Sequence, residues 1–437
     1  MKIDLHKRIS ISEVQEKEEG TYAIVSGWAE HIKVIGKIAF IKLRDRTGYL
    51  QLVTTDKKLI KDLENLTKES VILVKGQVKK SKLKKGGNEL NITDLEILSK
   101  AKPELPIDVT GKTPAEFSTR LDYRVLDLRK LKNKAIFTIR SKIIEAIDTF
   151  FAKKKFIKMQ TPKLVGAGAE GGATLFVLDY YGKPAYLAQS QQLYKQLMNI
   201  AGFEKVYEIG PSFRAEKSHT TRHLSEFTHL DVEMSWIKSE EDLMKLEEEL
   251  LEYILKYIRS HCKKELTALN VEINTPKLPL PRISYSEAIK MLQKTGSKIK
   301  LGEDIGTEGE KLLGELIKKK YNADAYFLTK FPWSLEVCKF YWMRDKSHGR
   351  GADLEFKGTE ISTASQREHR YDKLVKQISE KNLKPEDFKY YTEPFRYGAP
   401  PHGGFGMGID RLTQLILNLP NIREATLFPR DPERLVP

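Results

Sequence analysis

The sequence predicts an α+β protein in which a small β-barrel precedes a larger domain that mixes strands and helices. Residues 22–98 read as short strands with alternating apolar residues, whereas apolar residues at helical spacing begin only after residue 130. The length agrees with this division, because 437 residues can form two or three domains with separate cores. A hydrophobic content of 40% excludes a wholly disordered chain.

Five strand-like segments separated by turns form the first region. They cover residues 21–32, 37–45, 48–54, 70–80 and 89–98, with one helical segment at 57–66. Five short strands and one helix predict a Greek-key barrel of the OB type. Such barrels bind single-stranded nucleic acid on one face, with aromatic side chains set in a positively charged groove.

Two side chains on adjacent predicted strands are candidates for base recognition. Phe40 can stack on a base, and Gln51 can read a base edge. The alternative for Phe40 is a place in the barrel core. A basic run near the fourth strand either follows phosphates or forms a solvated hairpin tip, and it comprises Lys79, Lys80, Lys82, Lys84 and Lys85.

Composition narrows the class of protein and its partners. The 75 Lys+Arg and 60 Asp+Glu give a formal net charge of +15, which indicates a polyanionic partner, although lysine-rich surfaces also serve solubility. The two cysteines, Cys262 and Cys338, indicate neither a disulfide framework nor a structural zinc site. The N-terminus lacks the apolar core of a signal peptide, and no run approaches the roughly 20 apolar residues that span a bilayer. We therefore expect a cytoplasmic protein without a membrane partner.

A linker and a second set of elements follow the barrel. Prolines and weak periodicity after residue 102 predict a hinge that partly packs. The pattern then predicts a helix over 135–156, a strand over 156–164 and a long helix over 240–264. The predicted domains are a barrel at 1–102, a hinge at 103–130 and a mixed domain at 131–437.

Two arginine-containing segments lie far apart in the chain. Residues 213–227 (FRAEKSHTTRHLSEF) place Arg214 and Arg222 around a polar turn. Residues 403–412 (GGFGMGIDRL) place Arg411 behind a glycine run that permits close approach of backbone and ligand. Guanidinium groups are planar charged forks that suit phosphate oxygens, so the two segments together predict a clamp on a triphosphate. Neither segment contains the P-loop pattern, so an ATP site here belongs to another architecture.

Three ordered segments resemble the signature motifs of class II aminoacyl-tRNA synthetases. The helix and strand that end at Pro162 resemble motif 1 (about 138–165), the FRAE…RHL segment resembles motif 2 (about 210–236), and GGFGMGIDR resembles motif 3 (about 402–430). Within that class the chain is similar, over nearly its whole length, to the aspartyl-tRNA synthetases of the archaeal and eukaryotic type, in subclass IIb. The resemblance implies an OB-fold anticodon-binding barrel, a catalytic domain with an antiparallel sheet flanked by helices, and a homodimer formed through motif 1.

The resemblance also implies how ATP is held. Activation requires an amino acid carboxylate to attack the α-phosphate of ATP, so catalysis consists mainly of positioning and charge neutralisation. The implied catalytic residues are Arg214, at the α-phosphate and the carboxylate, and Arg411, which with His223 holds the β- and γ-phosphates. Glu216 accepts a hydrogen bond from the adenine amino group, and Phe227 stacks on adenine. The full implied ATP set is Arg214, Glu216, Arg222, His223, Leu224, Phe227, Glu360, Gly408, Ile409, Asp410 and Arg411.

Magnesium is the implied cofactor. It prefers oxygen ligands and keeps much of its own water, so one or two carboxylates and the ATP phosphates suffice. Residues 352–367 (ADLEFKGTEISTASQR) offer Glu360 as the first choice of ligand, Asp353 as the second and Thr363 as a hydroxyl neighbour, on one or two adjacent strands. Outside the motif context, such paired carboxylates are more often solvated or salt-bridged.

The implied amino acid is aspartate. A side-chain carboxylate in a partly dry pocket needs cationic partners, and Lys195 and Arg367 supply two. Related asparaginyl enzymes typically have a glutamate where this chain has Lys195, and a glutamate would repel a carboxylate. The relatives usually continue with serine and glycine after Glu360, so the run 363–365 (TAS) predicts a narrower pocket floor. The full implied aspartate set is Glu170, Ser190, Gln192, Lys195, Arg214, Asp231, Thr363 and Arg367, with Glu170 in a glycine-flanked loop that closes over the amino acid.

The second step implied by the resemblance transfers aspartate to the terminal adenosine of tRNA(Asp). Phe40, Gln51 and Lys85 are the implied anticodon contacts. Charging of tRNA(Asn) as well stays open on the sequence, because Lys85 is compatible with a strict enzyme whereas Glu30 stands where strict archaeal relatives have an aromatic residue.

Two further alternatives are an asparaginyl enzyme and a nonenzymatic tRNA-binding relative. Lys195 argues against the first. The joint presence of Arg214, Glu216, Glu360 and Arg411 argues against the second.

Overall fold

The structure, a computed structural model, describes residues 3–81, 86–166, 174–216 and 220–437. The chain divides into two compact units, Met1–Asn133 and Lys134–Pro437. Two residues of the predicted site, Lys85 and Glu170, lie outside the described residues. In the described part of the chain, no helix is both long and apolar enough to cross a membrane.

The first unit contains the predicted barrel. Its elements are α1 (Ile11–Gln15), β1 (Tyr22–Ile35), β2 (Ile38–Arg44), β3 (Tyr49–Thr54), α2 (Lys57–Glu64), β4 (Val71–Lys80), β5 (Asn88–Ser99), α3 (Phe117–Asp122) and α4 (Arg124–Asp127). The strands close in the order β1-β2-β3-β5-β4, with β3 and β5 parallel. All five predicted strands and the intervening helix are therefore present, and the predicted barrel is confirmed.

Alternation along the barrel strands decides which side chains fill the core. On β2, Ala39, Ile41 and Leu43 are buried in the barrel core. Phe40 lies between them on the outer face and is half-buried, and Lys42 on the same face is exposed. The core alternative for Phe40 is therefore wrong.

The second unit is built on a large sheet. Its elements begin with α5 (Leu131–Lys153), which starts just before the unit boundary, and continue with β6 (Ile157–Lys158), β7 (Leu164–Val165), β8 (Val177–Tyr180), β9 (Lys183–Leu187), α6 (Gln192–Ile200), β10 (Lys205–Phe213), β11 (Glu226–Ser235), α7 (Glu240–His261), α8 (Lys263–Leu269), β12 (Arg282–Ser284), α9 (Tyr285–Gln293), α10 (Gly306–Tyr321), β13 (Ala325–Thr329), β14 (Arg344–Asp345), β15 (His348–Gly349), β16 (Gly351–Phe356), β17 (Glu360–Gln366), α11 (Tyr371–Glu380), α12 (Lys389–Thr392), β18 (His402–Gly408) and α13 (Ile409–Ile416).

Eight strands form this sheet in the order β12-β13-β16-β17-β18-β11-β10-β6. The pairs from β13 to β10 are antiparallel, as expected. The outermost pairs, β12 with β13 and β6 with β10, are parallel. The predicted antiparallel sheet is therefore correct in its centre and mixed at its edges.

The two faces of the sheet have different roles. On β11, Leu230 and Val232 are buried in a core that also contains apolar residues of α5 and α7. The alternate residues His229, Asp231 and Glu233 point to the opposite face. The helices α5 and α7 therefore cover one face, and charged side chains lie on the other.

The predicted strand over 156–164 is wrong in its extent. Only β6 and β7 near its ends are strands, and they belong to different sheets. Between them Thr161 donates from its backbone N–H and its hydroxyl to Glu208, at 3.0 and 2.8 Å, and not to a neighbouring strand. Pro162 also removes a donor from any ladder.

Both long predicted helices are present, and local signals explain their ends. The helix α5 stops just before Lys155, whose backbone is left-handed with φ 62°. Ser239 and Asp242 form a capping box at the start of α7. The predicted helix over 240–264 is interrupted at Cys262, after which α8 begins.

Candidate active site

Two adjoining cavities open on the charged face of the large sheet. Their volumes are about 830 and about 90 Å³. The two cavities share the lining residues Arg214, Glu216, His229, Glu360 and Gly406. The smaller cavity also contains Arg411, so the fold brings the two arginine segments of the sequence together.

Most of the predicted site residues line these cavities. The larger cavity is lined by Ser190, Gln192, Arg214, Asp231, Thr363 and Arg367 of the aspartate set. The smaller cavity is lined by Arg214, Glu216, Arg222, His223, Leu224, Phe227, Glu360, Gly408, Asp410 and Arg411 of the ATP set. Lys195, Asp353 and Ile409 are buried and line neither cavity, and Ile409 belongs to the hydrophobic core. The ligand that each residue contacts stays a prediction.

Lys195 is the centre of a buried charge network behind the larger cavity. Its Nζ donates to Oδ1 of Asp231 at 2.8 Å and to the carbonyl oxygen of Phe405 at 2.9 Å. Nζ also lies 3.6 Å from Oε2 of Glu233. Glu233 in turn accepts two hydrogen bonds from Arg367, from Nε to Oε1 at 2.9 Å and from Nη2 to Oε2 at 3.1 Å. We call Lys195, Asp231, Glu233 and Arg367 the lysine network. Its two cations and two carboxylates balance, which is the condition under which charges are tolerated out of water.

Perturbed pKa values reflect this pairing. Burial acts to raise the pKa of Asp231, but Lys195 and His229 hold it far below its ordinary value. Burial likewise opposes the charged form of Arg367, and Glu233 overcomes it and raises the pKa of this guanidinium. Asp231 and Arg367 are therefore both charged near neutral pH.

The smaller cavity, which we call the arginine pocket, has an excess of donors. Nη1 of Arg411 donates to the carbonyl oxygen of Glu360 at 2.7 Å, and Nη2 of Arg222 donates to Oε2 of Glu310 at 2.6 Å. Nε and Nη1 of Arg222 are buried and have no partner among the described residues. The guanidinium of Arg214 lies 5.4 Å from the ring centroid of Phe227. Buried N–H groups without acceptors favour an anionic ligand here.

The remaining groups of the arginine pocket are held in place by local contacts. Nδ1 of His223 lies 2.7 Å from Oγ1 of Thr220. Burial and then Arg411 lower the pKa of His223, so its imidazole is neutral at pH 7. The carboxylate of Asp410 accepts from Nη2 of Arg140 at 2.7 Å and from the backbone N–H of Thr228 at 2.6 Å, which ties α13 to α5 and β11.

The predicted metal ligands lie on neighbouring strands, as expected. Asp353 on β16 is directly opposite Thr363 on β17, and the Thr363 hydroxyl donates to Oε1 of Glu360 at 3.1 Å. Oδ1 of Asp353 is buried and has no partner in the parts of the chain that are described. Burial, followed by the charge of Glu360, raises the pKa of Asp353 well above its ordinary value.

The glycine run of β18 permits close packing against the neighbouring strand β11. A Cβ at Gly404 would lie 1.9 Å from the carbonyl oxygen of Val232, and one at Gly406 would lie 2.6 Å from Cε1 of His229. Only glycine therefore lets β18 pack against β11 with its charged side chains. Gly406 also lines both cavities and Gly408 lines the smaller one, so the approach of a ligand to this run stays a prediction.

The run 363–365 was predicted to narrow the pocket floor, but only one of its three side chains lines the larger cavity. Only Thr363 lines the larger cavity. Ala364 is buried in the core, and the Ser365 hydroxyl accepts a hydrogen bond from Arg367. Strand alternation and the pairing with Arg367 thus remove two of the three side chains from the pocket floor.

Sequence reasoning missed Glu233, His229 and Glu310. The first two alternate with Asp231 on β11, so a period-two reading of that strand would have found them. Glu310 lies on α10 and carries no local signal, because its role depends on Arg222, a residue 88 positions away.

The barrel carries its own candidate site. Phe40 and Gln51 lie on the outer faces of the paired strands β2 and β3, as predicted. Nε2 of Gln51 donates to Oε2 of Glu89 at 2.9 Å, and Nζ of Lys42 lies 3.7 Å from the ring centroid of Tyr49. This face therefore combines aromatic, amide and cationic groups of the kind that bind single-stranded nucleic acid.

Comparisons with known proteins agree with both units. A family model described as tRNA synthetases class II (D, K and N) matches residues 116–432, and one described as an OB-fold nucleic acid binding domain matches residues 23–98. The chain is 48% identical over 433 residues to the aspartate–tRNA(Asp) ligase of Pyrococcus abyssi, with 98% of each chain covered. It is 45% identical over 431 residues to the aspartate–tRNA(Asp/Asn) ligase of Methanopyrus kandleri, also with 98% of each covered.

A solved structure extends the comparison to three dimensions. The asparaginyl-tRNA synthetase of Pyrococcus horikoshii complexed with asparaginyl-adenylate has a TM-score of 0.91 and 36% sequence identity, covering 98% of this chain and 99% of that one. The family resemblance seen in the three motifs is confirmed. The chain belongs to the class II tRNA synthetases of the D, K and N group, with an OB-fold domain in front of the synthetase domain.

Proposed function

We propose that this chain is an aspartate–tRNA ligase. It activates L-aspartate with ATP to give aspartyl-adenylate and pyrophosphate, and then transfers aspartate to the 3′-terminal adenosine of tRNA(Asp). The observation that carries the proposal is the pair of adjoining cavities, one backed by the lysine network and the other lined by Arg222, two of whose buried nitrogens have no partner among the described residues. The full-length similarity to ligases named for aspartate supports it over the asparaginyl alternative.

We expect activation to take place beside Arg214, where the two cavities adjoin. The aspartate α-carboxylate attacks the α-phosphorus, a phosphorus–oxygen bond breaks, and pyrophosphate leaves with the electron pair. Arg214 lines both cavities, so it can contact the carboxylate and the α-phosphate together. His223 and Arg411 in the arginine pocket hold the terminal phosphates, and Phe227 and Glu216 bind adenine. The chain's contribution is positioning and neutralisation of charge.

Selection of aspartate rests on the lysine network. Arg367 lines the larger cavity and presents a permanent cation to the side-chain carboxylate. Lys195 adds positive potential from behind, held by Asp231 and the carbonyl oxygen of Phe405. Gln192, whose Nε2 is buried and has no partner within the described residues, faces the same cavity and with Ser190 and Asp231 suits the α-amino group and carboxylate. Glu170, in the loop implied to close over the amino acid, lies outside the described residues.

The donor set near the arginine pocket suits magnesium. Glu360, Asp353 and the Thr363 hydroxyl are oxygen donors, and Oδ1 of Asp353 is buried without a partner among the described atoms. Within the described ranges, no three His, Cys, Asp or Glu residues form a metal cage. Glu360, with Asp353 and Thr363 beside it, would hold the ion. When bound, magnesium neutralises phosphate charge.

Recognition of tRNA falls to the barrel. Phe40 stacks on an anticodon base, and Gln51, oriented by its hydrogen bond to Glu89, reads another. Lys85, the third predicted anticodon contact, lies outside the described residues. A second candidate function, charging of tRNA(Asn) as well, is favoured by Glu30, which is buried and paired with Lys42 and Arg44 where a strict enzyme is expected to have an aromatic residue.

A homodimer formed through motif 1 completes the proposal. The short strands that follow α5 expose apolar side chains, including Ile157, Leu164, Val177 and Tyr180. Exposed apolar side chains in one region favour a protein partner. Both cysteines are buried free thiols, which suits a reducing cytoplasm.

The decisive experiment charges purified tRNA(Asp) and tRNA(Asn), each with aspartate and with asparagine. We expect aspartate, and not asparagine, to support both ATP–pyrophosphate exchange and charging of tRNA(Asp). Transfer of aspartate to tRNA(Asn) would establish the relaxed enzyme, and its absence the strict one. Exchange that depends on asparagine, or no exchange with either amino acid, would contradict the proposal.

A further inference from the structure

Glu310 is a largely buried carboxylate beside the arginine pocket, and it has no place in the proposed mechanism. It lies on α10, and its Oε2 accepts a hydrogen bond from Nη2 of Arg222 at 2.6 Å. The Arg222 and Glu310 side chains are only 13% and 19% exposed. An ion pair this buried interacts more strongly than a surface pair, because water screens it less.

The position of Glu310 is set by a close contact of two backbones. A Cβ at Gly314 of α10 would lie 2.6 Å from Cα of Gly358. Gly358 has φ +69° and belongs to the turn that joins β16 to β17, just before Glu360. The helix therefore packs directly on the turn at the edge of the arginine pocket, and a side chain at either glycine would displace it.

Arg222 is only partly satisfied by this contact. Nη2 is bound to Glu310, whereas Nε and Nη1 are buried and have no partner among the described residues. These two nitrogens carry three N–H donors. Arg222 lines the arginine pocket, so a phosphate there can accept from them.

Without Glu310, Arg222 would lose a buried acceptor while two other arginines stay close to it. Burial, and then the charges of Arg222 and Arg214, lower the pKa of Arg411, so the three guanidinium groups are close enough to interact. Arginine is a long, flexible side chain that reaches water easily. The hydrogen bond to Glu310 therefore helps to hold the guanidinium close to the two like charges.

We propose that Glu310 is a positioning residue for ATP, which holds Arg222 in the arginine pocket and so strengthens the binding of the terminal phosphates without touching them. The inference rests on the proposed function. It extends the ATP site to α10, an element outside the three motifs. Because Glu310 acts through Arg222, its loss weakens ATP binding and leaves aspartate binding unchanged.

The test compares Glu310→Ala and Glu310→Gln with the wild type in aspartate-dependent ATP–pyrophosphate exchange. Loss of a charge-assisted contact predicts an ATP KM raised about tenfold in Glu310→Ala and about threefold in Glu310→Gln. We expect the aspartate KM to stay within about twofold. Glu315→Gln is the matched control, because Glu315 is an exposed glutamate on the same helix and its removal should change neither constant.

A double-mutant cycle separates positioning from a structural role. If Glu310 acts through Arg222, the variant with both Arg222→Ala and Glu310→Ala has the ATP KM of Arg222→Ala alone. Additive losses, an unchanged ATP KM or a lowered ATP KM in Glu310→Ala would each overturn the proposal. Glu310→Gln keeps the side-chain volume, so the comparison survives if the alanine variant does not fold.

Calorimetric titration with ATP keeps this inference distinct from the proposed function. Wild-type protein that binds ATP but shows no aspartate-dependent exchange would contradict the proposed function. The ATP affinities of the same variants would still decide the role of Glu310.

Discussion

The lysine network and the arginine pocket adjoin each other but differ in how far their charges are paired. In the lysine network, Lys195 and Arg367 face Asp231 and Glu233 at ion-pair distances, and none of their side-chain polar atoms is buried without a partner. In the arginine pocket, two nitrogens of Arg222 are buried with no partner in the described part of the chain. Near the arginine pocket, Oδ1 of Asp353 is also buried with no partner among the described residues.

This difference shows how one site can combine a preformed region that selects its ligand with a region that its ligand completes. A balanced network keeps its geometry before any ligand arrives, so it discriminates by shape and charge. A pocket with unpartnered donors and acceptors is completed by its ligand, so binding itself supplies the missing partners. We therefore expect the lysine network to control the choice of amino acid and the arginine pocket to control the affinity for ATP.

Arg411→Ala provides the largest test of this contrast. Removal of a buried cation that faces the phosphates should lower aspartate-dependent exchange by at least about 100-fold. Thermal stability should change little, because the variant also relieves repulsion from Arg222 and Arg214. Exchange kinetics and thermal melting measure the two effects.

Arg259→Ala is the control for this variant, because Arg259 is an exposed arginine on α7. It should leave both exchange and melting unchanged. Near-normal exchange in Arg411→Ala would remove the arginine pocket from the mechanism.

Lys195→Ala should give the opposite pattern. Asp231 and Glu233 would lose a buried partner, so the free energy of unfolding should fall by about 3–5 kcal/mol. The aspartate KM should rise at least about tenfold, whereas the ATP affinity stays close to that of the wild type. Denaturant unfolding, exchange kinetics and calorimetric ATP binding measure these quantities.

Lys256→Ala is the matched control for Lys195, because Lys256 forms an exposed pair with Glu252 and its loss should cost little. An equal loss of ATP and aspartate affinity in Lys195→Ala would mean that the lysine network and the arginine pocket do not bind their ligands independently.

His223 provides the test with the smallest expected effect, which is the uptake of protons when ATP binds. Burial and Arg411 place its pKa below 6.5 in the free protein, so the imidazole is mostly neutral at pH 6.5. The phosphates of ATP favour the charged form and raise that pKa, so binding at pH 6.5 should take up roughly half a proton at this residue. Well above pH 7 the uptake should disappear, since both states are then neutral.

Titration calorimetry in two buffers of different ionisation enthalpy measures the uptake. The γ-phosphate also titrates in this range, so the difference between the wild type and His223→Gln isolates the imidazole. Aspartate binding should show no comparable uptake at Asp231 or Arg367, since both are already charged. An identical proton count in both proteins would contradict the assignment.

Much of the fold and of the site could be predicted from local patterns. Period-two alternation located the five barrel strands, and helical spacing located α5 and α7, because side-chain direction depends only on neighbouring residues. The glycine-rich segment and the two arginine segments indicated a phosphate site from side-chain chemistry alone. The strand over 156–164 failed because Thr161 bonds to Glu208, a partner that its local pattern does not specify.

The roles of individual site residues were harder to predict. Lys195 was predicted to supply a cation to the amino acid; the fold buries it behind the cavity, against Asp231 and Phe405, and its role towards aspartate stays a prediction. The glycine run was expected to permit close approach of a ligand; Gly404 and Gly406 also permit close packing against β11, which the sequence did not indicate. Glu310 carried no sequence signal.

The sequence by itself determined the elements, the barrel and the set of charged groups available for chemistry, since these depend on residue type and short-range periodicity. Only the tertiary structure decided which charges are paired and which stay unpartnered. Lys195 meets Asp231, and Arg222 meets Glu310, through the packing of strands and helices that lie far apart in the chain. The physical reason is that the energy of a buried charge depends on its partners within a few ångströms, and three-dimensional packing selects those partners.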